Sequence, residues 1–172
     1  MSISDFCTLM PIPDDLARIA LQEKQLQFTA FDEEAAWHLG YRLRALAVER
    51  GLGVVIDIRR PTQPLFYAAL HGTTPDHPEW IRRKSNVALR FHRSSYAVGL
   101  EMEQKQSSIQ ERYGLPISDY ASHGGSFPIR VRNTGVIGAV TVSGLPQRAD
   151  HELVVQALCA EFGQSYEDLR LE

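Results

Sequence analysis

Apolar positions recur every second residue in some stretches and every third or fourth in others, and the two periods divide the chain into strands and helices. Phe127, Ile129 and Val131 alternate with Pro128, Arg130 and Arg132, which predicts a strand with one wet face. Asn133, Thr134 and Gly135 then supply a tight turn. Val136 to Val142 reads VIGAVTV, apolar on both sides, and predicts a central strand covered on both faces, with Gly138 marking a bulge or a close packing contact. Gly53 to Arg59 and Leu65 to Leu70 predict a second hairpin around RPTQP, whose prolines restrict the turn. Leu26 to Phe31 also alternates and predicts a further strand.

The helical period accounts for most of the rest. Ile12 to Gln25, with Asp14 and Asp15 as start signals, predicts a short helix packed on the outside or on a neighbouring subunit. Ala36, Leu39, Leu43, Leu46 and Ala47 make an apolar stripe over Asp32 to Arg50, with Asp32 as the cap and Gly51 as the stop. Asp76 and Glu79 have the spacing of a capping box with Asp76 as the cap, and Pro78 falls in the first turn, where its missing N–H costs little. Trp80, Lys84, Val87, Ala88 and Phe91 share one face of the helix that follows. Ser94 to Gln106 and Ser108 to Tyr113 predict two more helical pieces, the second stopped by Gly114. Asp150 is placed to cap a final helix whose Leu153, Val154, Ala157 and Leu158 face the sheet. Two hairpins separated and flanked by helices imply an α+β fold, a profilin-like or PAS-like antiparallel sheet covered by helices, in a single domain spanning 1–172.

Composition narrows the function. A chain of 172 residues buries a core without staples. Its net charge of -3 and pI near 6.1 lack the basic excess of a dedicated nucleic-acid binder. Cys7 and Cys159 stand at opposite ends with no CxxC spacing, which suits a reducing compartment. With neither a long apolar run nor a signal-peptide pattern, no membrane span is expected and the cytoplasm is the expected location.

Three groups of residues carry candidate chemistry. On the basic helix, Arg82, Asn86, Arg90 and Arg93 lie on one side as a forked donor surface for carboxylate or phosphate, or else as a solvated face. Trp80 and Arg83 flank them, and Lys84 falls on the apolar side, where it either snorkels or is paired within a site. His123, Gly124 and Gly125 follow Tyr120 and Ser122; two glycines let the backbone approach a ligand and present the imidazole at a strand entrance, or simply build a turn. Ser143, Gly144, Leu145, Pro146 and Gln147, with Asp150 and His151 behind them, form the third group. Asp150 and His151 are adjacent on a helix start and point in different directions, which argues against a serine-hydrolase triad with Ser143. The histidines are not paired at metal-ligand spacing, so no metal site is predicted.

The segments GLGVVIDIR, LFYAALHGTTPDHPEWIRRKSNVALRF, YASHGGSFPIRV and GVIGAVTVSGLPQRADHELVVQAL resemble an uncharacterised-protein family of bacteria and fungi within the haem-degrading-domain superfamily, alongside the GlcG and HbpS proteins. The resemblance covers about residues 10–162. It implies a profilin-like sandwich, a cytoplasmic homo-oligomer, and a site or interface built from Trp80, Arg82, Arg83, Lys84, Asn86, His123, Gly124, Gly125, Ser143, Asp150 and His151. The reading that follows is a small-molecule-binding domain for haem or another anionic ligand, with Arg90 added to the ligand-binding set. The alternatives are an oligomeric scaffold without a ligand, and a haem-degrading enzyme by family resemblance.

Overall fold

The computed structural model describes residues 12–172, so Cys7 lies outside the described residues. Four strands form one antiparallel sheet in the order β2-β1-β4-β3: β1 Val55–Arg60, β2 Gln63–Ala69, β3 Ser126–Val131 and β4 Gly135–Ser143. The two predicted hairpins therefore lie side by side and are zipped through β1 and β4. The register of β3 on β4 slips between Ile129 and Arg130, opposite Gly138, so the expected bulge is present.

Alternation assigns the two faces. Ile56, Ile58, Phe66, Phe127, Ile129, Val140 and Val142 point to one side and join the main core with Leu39 and Leu43 of α2 (Glu33–Glu49) and Val154 and Leu158 of α6 (Gln147–Phe162). The opposite face carries Asp57, Ser126, Thr141 and Ser143, all buried, under α3 (Asp76–Phe91), which lies against β4, β3 and β1. β3 consequently has its first four residues buried, and its predicted wet face is confined to the end, around Arg130. α4 (Ser95–Gln104) and α5 (Ile109–Tyr113) extend the α3 layer through Val87, Val98, Met102 and Ile109. α1 (Ile12–Gln25) rests on α4 and on α7 (Tyr166–Leu169) through Ile19, Tyr96, Leu100 and Leu171.

Three local expectations are corrected. The stretch 26–31 is not a strand: only Phe28 bridges to Val131, because Leu26 N–H still bonds Gln22 and continues the helical turn. The capping box at Asp76 does not form. Pro75 is the N-cap, Asp76 accepts a hydrogen bond from the Trp80 indole, and Glu79 pairs with Arg82 instead. The helix after the sheet, α6, starts at Gln147 after Pro146, so Asp150 sits inside its first turn and does not cap it. Where expected, Asp32 caps α2 through Ala35 N–H, and Ser108 with Glu111 makes a complete capping box on α5.

Candidate functional site

α3 runs past the end of the sheet where β4 turns into α6, and the loop at His123 closes the third side. These elements enclose a cleft of about 260 Å³ lined by Asp76, His77, Trp80 and Lys84 from α3, His123 from the loop, and Ser143, Gly144, Leu145, Gln147 and Asp150 from the turn and α6. The helical period brings the α3 residues together, since positions 76, 80 and 84 share a face at successive turns.

Lys84 forms the floor. Its ammonium is buried and donates to Asp150 Oδ2 at 2.8 Å, Val142 O at 3.3 Å and Ser143 Oγ at 3.4 Å. Asp150 also accepts from the backbone N–H of Leu145 at 2.9 Å and Gly144 at 3.4 Å. The carboxylate expected to cap a helix thus ties down the turn before it. Burial lowers the Lys84 pKa, with Asp150 opposing, and burial raises that of Asp150, with Lys84 opposing. Both shifts favour the neutral forms.

Gly125 explains why the His123 loop can reach this floor. Its φ is +132°, and a Cβ there would stand 2.3 Å from Val142 O and 2.9 Å from Lys84 Nζ. The loop is further held by Ser95, whose hydroxyl donates to His123 O at 2.6 Å and accepts from Ser126 N–H at 3.0 Å, and by Gln147 Oε1, which accepts from Gly124 N–H. His123 stands exposed at the rim, edge-on to Trp80 with ring centroids 5.2 Å apart. Desolvation, then the charges of Lys84 and Arg83, lower its pKa. The imidazole is therefore neutral at neutral pH and free to accept or donate. The Arg83 guanidinium lies 4.3 Å over the Trp80 ring. His77 Nδ1 accepts from Thr74 N–H at 3.0 Å.

Of the residues singled out from sequence, Trp80, Lys84, His123, Ser143, Gly144, Leu145, Gln147 and Asp150 meet in the cleft, and Gly124 and Gly125 build its wall. Arg82, Asn86, Arg90 and His151 are engaged elsewhere. Arg82 donates to Asp119, Glu79 and the Ser118 carbonyl, Asn86 donates to the Asp119 carbonyl, and Arg90 lies over Tyr120, so this row clamps the segment 117–121 onto α3. His151 is fully buried against Gln22, 2.8 Å away, behind α6. The divergence of Asp150 and His151 is as expected. Asp76 and His77, which the sequence marks only as a helix start and as a histidine without metal-ligand spacing, also line the cleft.

A family model described as "Haem degrading protein HbpS-like" matches residues 31–159. The chain belongs to the HbpS-like family. It is 60% identical over 162 residues to a UPF0303 protein of Acidobacterium capsulatum, covering 94% of this chain and 98% of the relative. Its fold matches the crystal structure of the Ybr137w protein with a TM-score of 0.80 at 31% identity, over 86% of this chain and 87% of the other. A crystal structure of a PduOC:heme complex shares the fold alone, with a TM-score of 0.65 at 15% identity over 76% of this chain and 94% of that one. No helix among the described residues is long and apolar enough to cross a membrane.

Proposed function

We propose that this HbpS-like chain binds a small anionic molecule in the cleft, with Trp80, Lys84, His123, Ser143 and Gln147 as its contacts. The observation that carries the reading is convergence: Lys84 in its ion pair with Asp150, the His123 imidazole and the first turn of α6, which has no side-chain cap, open on one space. The first turn of α6, without a side-chain cap, presents N–H groups and the positive end of the helix dipole, which favour a carboxylate or phosphate, whereas in α3 the His77 N–H bonds Thr74 O and Pro78 has none. Arg83 beside Trp80 adds positive charge at the entrance.

The family description raises haem as the ligand. A porphyrin does not fit inside this cleft of the single chain. The space of about 260 Å³ is below the roughly 300–1,000 Å³ of pockets for drug-sized ligands. Its floor is an ion pair, and Trp80 and Leu145 are its main apolar walls. The test is calorimetric titration with a panel of small carboxylates and phosphates, beside haemin titration followed in the Soret region, on wild type, Trp80→Ala and His123→Ala. The expected result is saturable binding of a small acid that weakens at least about tenfold in either variant, equivalent to about 1.4 kcal/mol, with no saturable haemin band lost in His123→Ala. A His123-dependent haemin band without small-acid binding overturns the reading.

A scaffold role has its own support. Trp37, Tyr41 and Tyr67 are 57%, 62% and 50% exposed on α2 and the edge strand β2, an apolar surface suited to a homo-oligomer in the cytoplasm. Light scattering on wild type and Trp37→Ser/Tyr41→Ser tests it, with a smaller assembly expected from the double variant and unchanged mass counting against it.

A further inference from the structure

The floor of the cleft is built for more than charge attraction. Lys84 uses all three ammonium donors on Asp150, Val142 O and Ser143 Oγ, but only the bond to Asp150 is short. If its proton passes 2.8 Å to Asp150 Oδ2, the neutral amine keeps two N–H bonds and gains a lone pair. Rotation about Cε–Nζ exchanges these three directions, and the lone pair faces the cleft when it takes that of the long contact to Ser143 Oγ, which lines the cleft. Amine nucleophiles that attack carbonyl groups are made in this way, by burial beside a group that takes the proton.

We propose that Lys84 captures the carbonyl group of a small 2-oxo acid or aldehyde as an imine, with Asp150 as the proton carrier. The inference rests on the binding reading above and names the ligand's reacting group. The ammonium gives one proton to Asp150, and the nitrogen attacks the carbonyl carbon. The C=O π bond opens to a carbinolamine, whose oxygen takes the second proton from nitrogen and the proton held by Asp150, and leaves as water. The product is a protonated imine, so the ammonium's three protons end as one on nitrogen and two in water. No oxidant or reductant is consumed. His123 at the rim and the first turn of α6 are left to hold the acid group. The directions of the Lys84 and Asp150 shifts agree with this assignment, because each lies toward the form the step needs.

The chain has three lysines, Lys24, Lys84 and Lys105, which makes the test internally controlled. Lys24 is exposed, and Lys105 is an exposed partner of Glu101. The full chain is incubated with pyruvate and sodium cyanoborohydride, and peptides are read by mass spectrometry for the reduced adduct. The adduct is expected at Lys84 at least about tenfold above Lys24 and Lys105, suppressed by excess lactate, and formed at least about tenfold more slowly in Asp150→Asn. Thermal shift with lactate, the matched acid without the ketone, separates the two readings. Protection by both acids with no adduct at Lys84, or one no greater than at the exposed lysines, overturns carbonyl capture and leaves binding standing. Neither protection nor adduct overturns both for this acid class.

Discussion

His151 and Lys84 are both buried cations in principle, and the chain treats them in opposite ways. Gln22 donates its amide to Leu169 O, so its oxygen faces His151 and fixes the imidazole proton on Nε2. Complete burial, with Arg148 adding repulsion, drives the His151 pKa from 6.5 to about 3. The folded protein keeps the ring neutral while the unfolded chain protonates it, so the unfolded state holds the extra proton between these values. The His151 contribution to stability is therefore complete above about 6.5 and is lost as pH falls toward 3, at up to about 1.4 kcal/mol per pH unit. His151→Gln keeps a donor for Gln22 and removes the titration; chemical denaturation at stepped pH should show a flatter acid limb, and parallel curves would refute the assignment. Lys84, by contrast, is buried with its partner. Lys84→Met strands the Asp150 carboxylate and should cost about 3–5 kcal/mol, whereas Lys84→Met/Asp150→Leu should recover most of that loss. Additive losses in the double variant, measured by urea unfolding, would mean that the pair is not coupled.

Among the elements, α4 has a role that its own sequence does not announce. Its first residue, Ser95, reaches across to the His123 loop and satisfies the buried Ser126 N–H. Ser95→Ala should cost about 1–3 kcal/mol, since it leaves a buried donor without a partner, and it should weaken small-acid binding because the loop that presents His123 is released. Stability loss with unchanged binding would show that the loop holds its place without α4. What was legible in the sequence follows the same division between local and distant causes. α2 was readable because Asp32, the apolar stripe and Gly51 are all local signals. The hairpins were readable from alternation and turn residues, but the stretch 26–31 alternated equally well and gained one bridge, since pairing depends on a neighbour that alternation does not specify. The four-residue α7 carries too few positions to show a period. In the site, Trp80, Lys84, His123 and Ser143 stood out by residue type. That Arg82 and Asn86 are consumed by the segment 117–121 depends on a chain more than 30 residues away folding onto α3.

At the scale of the molecule, the two ends of the described chain meet behind the cleft. Arg148, in the first turn of α6 between Gln147 and Asp150, donates to both oxygens of the buried Asp15 of α1 at 2.5 and 3.2 Å and to the Glu172 carbonyl. Leu171 seals the same junction against Ile19, Tyr96 and Leu100. This satellite cluster is separate from the main core, so α1 and the tail can open without unfolding the sheet. Leu171→Ala should remove about 2–3 kcal/mol, at the lower end for a core leucine because the cluster is small and lies at the edge. Hydrogen exchange should then quicken in α1 and the tail while the amides of β1 and β4 keep their protection. Uniform loss of protection across α1 and the sheet would show instead that the junction belongs to the global cooperative unit, and the α6 turn that carries Gln147 and Asp150 would then depend on the tail for its position.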